Sequence, residues 1–136
     1  MDHDDSQSDS FYDVITLLNR WEKDLRRGLL QLMILMFIRL RTPEAHGYGL
    51  IKLIQDTGIK TIKAGTIYPL LGRMEKDGLI SSNLAYDQDT GSSRNMYTVT
   101  SFGEQIIDQM MQIYGSYDAI IESLYYEIEK NHTRKR

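Results

Sequence analysis

The chain has 136 residues, and its 41% of hydrophobic residues can form the core of one small domain. It has no cysteine, which excludes disulfides, thiolate nucleophiles, thiol-based redox sensing and cysteine-ligated zinc. The first residues are acidic rather than basic, and no apolar run approaches the ~20 residues of a membrane span. We therefore expect a soluble, cytoplasmic protein with a single domain.

The net charge of −3 conceals a local cluster of basic residues. Four aspartates lie among the first nine residues, so the rest of the chain carries +1. Basic side chains gather further along the chain, at Lys60, Lys63, Arg73, Lys76 and Arg94. Such a cluster is either a solvated face or a set of phosphate contacts, and its place in the fold decides between the two.

The N-terminal third changes from a polar leader to a strongly helical pattern. Residues 1–9 are acidic without an apolar period, which predicts a disordered arm. An amphipathic helix is predicted over 10–24, because apolar residues recur at spacings of three and four from Phe11 through Trp21. Residues 29–38 are apolar on nearly all sides and predict a central core helix. Gly28 lies near the junction, where we expect a break or a bend.

Two short helices follow, joined by a short basic turn, as a helix-turn-helix requires. The first has its apolar face between residues 50 and 54 and ends near Gly58. The second has apolar residues at 67, 70, 71 and 74 and is closed by Asp77-Gly78, with glycine at the expected C-terminal position. Pro69 lacks the amide donor of an interior helical residue, so either this helix begins after Lys63 or its first turn is irregular.

The last third combines a hairpin pattern with a long helix. Two β-prone runs, 79–86 and 96–100, flank a polar loop and predict a β-hairpin. A helix is predicted over 101–130, and 131–136 form a basic tail. The helix has a wide apolar face, which either folds back on its own core or, as we expect, is shared with a second subunit. One stripe of that face is Ile106, Met110, Ile113, Tyr117, Ile120 and Leu124.

This order of elements predicts a mainly α, α+β fold. We interpret it as a winged helix-turn-helix domain over 25–100, with an extra N-terminal helix and a long C-terminal dimerisation helix. A recognition helix turns its first residues toward DNA bases, which assigns base contacts to Lys63, Ala64, Thr66 and Ile67. Further DNA contacts are predicted at Lys60, Tyr68, Arg73 and Arg94. Arg94 either enters the minor groove or contacts the backbone, unless the hairpin tip is simply solvated.

Several motifs at matching distances resemble one known family. They are His46-Gly47-Tyr48, residues 65–71 with Arg73 and Met74, residues 77–80, and residues 94–100 with Gly103. Together they resemble the PadR family of transcriptional regulators over about residues 25–103. The resemblance implies a winged-helix dimer that binds palindromic operator DNA, usually as a repressor, with the C-terminal helix as the main dimerisation element. The sequence departs from the family pattern at Gly49, at Gly72 and at Lys63-Ala64.

The same residues also allow enzymatic and ligand-binding interpretations. His46 has no other histidine near it in the sequence, so we expect it to cap or pack the second helix rather than to bind a metal. We predict no enzyme activity, cofactor or metal. Some members of the resembled family bind flat apolar effectors, which would place a pocket at Trp21, Met33, Tyr114 and Tyr117, although core packing explains the same residues. The rival interpretation is a winged helix that serves only as a protein-interaction module.

Overall fold

The protein was analysed as a computed structural model that describes residues 2–42, 45–59, 62–88 and 90–134. Within these ranges the chain forms four helices and one antiparallel hairpin, which confirms the mainly α fold. The elements are α1 (Asp2–Arg41), α2 (Gly47–Asp56), α3 (Ala64–Lys76), β1 (Ile80–Asp87), β2 (Ser92–Val99) and α4 (Ser101–Arg134). None of the described helices is long and apolar enough to cross a membrane.

The chain divides into two compact units, Met1–Ile34 and Leu35–Arg136. The first unit is helical from Asp2 onward, whereas the sequence predicted a disordered arm over 1–9 and a break near Gly28. One interior glycine costs a helix only about 1 kcal/mol. This cost is small enough for the helix to continue through Gly28.

The first unit exposes most of its apolar residues. Residues 10–25 are all exposed, and only toward the end of the unit do Leu30, Leu32 and Ile34 become buried. The exposed set includes Phe11, Tyr12, Val14, Ile15, Leu17, Leu18, Trp21 and Leu25. This stretch of α1 therefore presents a continuous apolar surface to its surroundings.

The second unit holds a hydrophobic core to which several elements contribute. The end of α1 supplies Leu35 and Ile38, and the hairpin supplies Ile80 and the ring of Tyr97. The two short helices supply the rest, with Leu50, Ile51, Ile54, Ile67, Leu71 and Met74 buried. The apolar faces predicted for α2 and α3 are therefore the faces that pack.

The ends of the short helices follow from local hydrogen bonding. His46 is the N-cap of α2, and its Nδ1 accepts a hydrogen bond of 3.1 Å from the Gly49 amide, which confirms the predicted capping role. At the end of α3, Gly78 has a φ of 81°, and the Leu79 amide donates to the Met74 carbonyl at 3.0 Å. This is the glycine-dependent helix end that Asp77-Gly78 predicted.

The hairpin lies beside the start of α2. β1 and β2 pair antiparallel from Ile80 opposite Val99 to Asp87 opposite Ser92. On the other edge of β2, the Tyr97 amide donates a 2.7 Å hydrogen bond to the Ala45 carbonyl, and His46 bridges to Met96. The residues that precede α2 are thus held against the strand.

The last helix begins inside the second unit and then becomes fully exposed. The Thr100 hydroxyl accepts from the Gly103 amide at 2.9 Å and donates to the Gly78 carbonyl at 2.6 Å. A Cβ on Gly103 would collide with the Leu79 carbonyl oxygen, so only glycine fits there. Every α4 residue from 111 to 134 is exposed.

Candidate nucleic-acid interface

The structure resolves where the recognition helix begins. Lys63 is the extended N-cap residue, and α3 starts directly after it at Ala64. The Lys63 carbonyl accepts from the amides of both Thr66, at 2.9 Å, and Ile67, at 3.2 Å, so the first turn is tightened. The helix continues through Pro69, which is exposed. The carbonyl that loses its donor belongs to Gly65, which is also exposed, so water can satisfy it.

The predicted base-reading residues lie on the exposed side of α3. Lys63, Ala64, Thr66 and Arg73 are all exposed, while the opposite face of the helix is buried. Ile67 lies on that buried face, so the prediction that it lies near the bases is wrong, because its side chain packs in the core. The first turn contains no acidic residue, and the last turn holds Arg73 and Lys76. Lys60 lies outside the described residues.

Tyr68 couples the recognition helix to the helix before it. Its ring lies over Gly47, where a Cβ atom would come within 2.5 Å of the Tyr68 Cε1. The ring is 46% exposed, so its outer edge remains open to solvent. This contact links the His46-Gly47-Tyr48 motif to the motif of residues 65–71 in the fold, because Gly47 leaves room for the Tyr68 ring.

A groove of about 340 Å³ opens between the start of α2, α3 and β2. It is lined by the His46-Gly47-Tyr48 turn, by Tyr68 and Tyr97, and by residues 93–95. Two predicted DNA-contact residues, Tyr68 and Arg94, therefore border the same groove. Burial raises the pKa of the Tyr97 hydroxyl, and the negative charges of Glu75 and of ionised Tyr68 raise it further.

Sequence reasoning missed two members of this groove, Tyr48 and Tyr97. The sequence indicates Tyr48 only as part of the His46-Gly47-Tyr48 motif and Tyr97 only as a strand residue. The period of two along β2 places Ser93, Asn95 and Tyr97 on one face of the hairpin, which was an available signal. The sequence pattern does not show which helix packs near that face, because this depends on the tertiary fold.

The residues predicted for dimerisation and effector binding are largely exposed. Ile106 and Met110 are half-buried, whereas Ile113, Tyr117, Ile120 and Leu124 are more than half exposed. Trp21 is 63% exposed, Tyr114 and Tyr117 are exposed, and Met33 is half-buried. Packing within a core of this chain therefore does not account for the three aromatic residues.

The helix pair α2 and α3, followed by the β1–β2 hairpin, defines a winged helix-turn-helix protein. A family model described as the transcriptional regulator PadR-like family matches residues 34–109, which is more than half of the chain. The chain therefore belongs to the PadR-like family of transcriptional regulators. Membership in a family of regulators confirms both the resemblance noted in the sequence and the prediction that the protein is not an enzyme.

Solved structures of similar proteins agree with this assignment. A PadR family transcriptional regulator from Eggerthella lenta is 31% identical, with a TM-score of 0.71, covering 83% of this chain and 94% of its own. A PadR-like transcriptional regulator from Bacillus cereus is 30% identical, with a TM-score of 0.66, and the alignment covers 74% of this chain and 95% of that one. A Streptococcus transcriptional regulator is 29% identical, with a TM-score of 0.65 and the same coverages of 74% and 95%. The curated proteins include no significant match to the chain.

Proposed function

We propose that the protein is a sequence-specific DNA-binding repressor that acts as a homodimer on an inverted-repeat operator. The observation that supports this most directly is the exposed face of α3. Its first turn has no acidic residue, and Lys63, Thr66 and Arg73 are exposed. An exposed helix N-terminus carries a partial positive charge, which attracts DNA phosphates.

The proposed contacts divide into base reading and backbone positioning. Lys63, Ala64 and Thr66 are nearest the bases, because a recognition helix enters the major groove with its first residues inward. Tyr68 and Arg94 contact the DNA backbone from either side of the groove, and such contacts fix the register of the protein on the duplex.

The proposed partner of α4 is a second copy of the chain. Its exposed apolar residues at 113, 117, 120 and 124 follow a four-three-four spacing, which suits packing between two helices. Two copies that meet through the same face form a symmetric dimer, and a symmetric dimer presents two recognition helices to the two halves of an inverted repeat.

We propose further that a flat, apolar effector releases the repressor from its operator DNA. The exposed side chains of Tyr114 and Tyr117 on α4 support this idea, and the exposed Trp21 on α1 supports it separately, since large aromatic surfaces outside a core are typical of binding sites. We place the protein in the cytoplasm, where operator DNA is accessible to a regulator.

Salt-dependent DNA binding tests the main proposal. Fluorescence anisotropy with a mixed-sequence duplex at two salt concentrations should give a log–log slope of about −0.9 for each phosphate contact. Lys63→Ala should weaken binding, and Lys23→Ala, which removes an exposed lysine of α1, serves as the matched control. Binding that is absent or insensitive to salt would contradict the proposal and favour a protein-interaction module.

Separate measurements test the dimer and the effector. Ile120→Glu should shift the protein toward a monomer in analytical ultracentrifugation, and Asp118→Lys is the control on the same helix. Trp21 is the only tryptophan, so its fluorescence reports directly on ligands that bind near it. A screen of planar cations and phenolic acids in which neither fluorescence nor DNA affinity changes would refute the effector proposal.

A further inference from the structure

The groove between α2, α3 and β2 contains a buried tyrosine whose hydroxyl has no assigned role. Tyr97 is only 7% exposed, and it lines the groove. Among the described residues, no side-chain oxygen or nitrogen is both sealed from solvent and without a hydrogen-bond partner, and Tyr97 takes part in none of the side-chain hydrogen bonds found between them, so its hydroxyl opens into the groove. A tyrosine hydroxyl is protonated at neutral pH, so it is available as a hydrogen-bond donor.

The residues that line the groove favour an anion, although the Glu75 carboxylate lies close enough to Tyr97 to raise its pKa. Tyr48, Tyr68, Arg94 and Asn95 line the groove and each carries a side-chain donor, and no carboxylate of the described residues lines it. The groove also meets the first turn of α2, which contains no acidic residue. Backbone amides at such a turn attract negative charge.

We propose that this groove holds one phosphate group of the DNA backbone, with Tyr97 and Tyr48 donating hydrogen bonds to its oxygens. The inference rests on the proposed DNA-binding function and adds two residues that neither the helix pattern nor the basic cluster indicated. A phosphate held between α2, α3 and the wing fixes the distance of the recognition helix from the duplex. It contributes to affinity equally for all base sequences.

Phenylalanine substitutions test the two hydroxyls without removing the rings. Tyr97→Phe and Tyr48→Phe in the full chain should each weaken binding to a mixed-sequence duplex about tenfold, which corresponds to one hydrogen bond to a charged acceptor. Tyr126→Phe, at an exposed tyrosine of α4, should leave the affinity unchanged. Since tyrosine is neutral, the salt dependence should stay the same in these variants, whereas Arg94→Gln should reduce the slope by about 0.9.

Two further measurements distinguish a structural role from phosphate binding. The thermal midpoint of Tyr97→Phe should equal that of the wild type, because no hydrogen bond within the described residues is lost. A lowered midpoint that accounts for the loss of affinity would overturn the proposal. Unchanged duplex affinity in both tyrosine variants would also overturn the phosphate proposal. The proposed function would still stand in that case, because it depends on salt-dependent DNA binding by the wild type.

The source of the phosphate is tested with inorganic phosphate. If the groove binds a phosphate group only when that group is part of a duplex, free phosphate should not stabilise the protein. At matched ionic strength, phosphate should then raise the thermal midpoint of the wild type no more than chloride does. If phosphate alone stabilises the wild type but not Tyr97→Phe, and duplex affinity is unchanged in that variant, the groove binds a free phosphate and the DNA assignment is wrong. Absent duplex binding by the wild type would refute the proposed function and this inference together.

Discussion

The contact between Gly47 and Tyr68 offers a direct test of how α2 and α3 fit together. A Cβ atom on Gly47 would lie 2.5 Å from the Tyr68 Cε1 and 2.9 Å from the Tyr68 hydroxyl oxygen. Both distances are well below van der Waals contact, so Gly47→Ala must move the ring or separate the helices. The ring is 46% exposed, and we expect it to swing outward while the helices stay in place.

The expected loss of stability is small because two effects oppose each other. Gly47 does not have a positive φ, so alanine is favoured there by up to about 1 kcal/mol. A forced fit in a packed site costs about 1–3 kcal/mol, and movement of the exposed ring reduces that cost. The free energy of unfolding should therefore fall by about 1 kcal/mol or less. DNA affinity should fall about tenfold, because the displaced ring removes the Tyr68 hydroxyl from the phosphate that we propose it contacts.

A double-mutant cycle separates the steric effect from other consequences of the substitution. Urea unfolding and DNA anisotropy are measured for Gly47→Ala, for Tyr68→Leu and for the double variant. Tyr68→Leu removes the colliding ring, so adding Gly47→Ala should then change DNA affinity by less than about twofold. Gly28→Ala controls for the general effect of alanine, because a Cβ there meets nothing within 4 Å. An equal loss of affinity from Gly47→Ala in both backgrounds would refute the reasoning.

Three further predictions concern the caps and the buried tyrosine. His46→Ala should lower the free energy of unfolding by about 1 kcal/mol because it removes the α2 cap, and His46→Asp, which can still accept from the Gly49 amide, should restore most of it in urea unfolding. Gly103→Ala should destabilise far more than Gly115→Ala, since only the first collides with backbone; equal thermal midpoints would contradict this. The pKa of Tyr97 is raised above its ordinary value of about 10, so the stability that depends on its protonated form is complete below pH 10 and is lost as the pH rises through the raised value. Unfolding free energies measured from pH 9 to 11 should therefore fall less in Tyr97→Phe than in the wild type.

The sequence predicted best those features that neighbouring residues determine. Asp77-Gly78 indicated the end of α3, because a glycine with positive φ is needed where the chain leaves the helix. The exposure of Lys63 and Thr66, the proposed base-reading residues, could be predicted because exposure along one helix follows from its periodicity. The continuity of α1 was not predicted. The free-energy cost of Gly28 inside a helix is small, and the helical residues on both sides of it outweigh that cost.

The groove was harder to predict because it is built from three elements distant in the sequence. Tyr48, Tyr68 and Tyr97 come from α2, α3 and β2, and each has an ordinary local role that hides its shared position. The absence of a side chain at Gly47 leaves the space that the Tyr68 ring occupies over α2. The sequence shows that residue 47 is a glycine, but it does not show that the Tyr68 ring packs against it.

The joint at Thr100 determines the direction in which α4 leaves the DNA-binding domain. Its hydroxyl bonds both the end of α3, through the Gly78 carbonyl, and the start of α4, through the Gly103 amide. Gly103 packs directly on the Leu79 backbone. Neither the end of α3 nor the start of α4 can therefore shift without a collision or a lost hydrogen bond. In the proposed dimer, the separation of the two recognition helices therefore depends on how the α4 helices pack, because α3 and α4 are joined through backbone contacts rather than through a flexible linker.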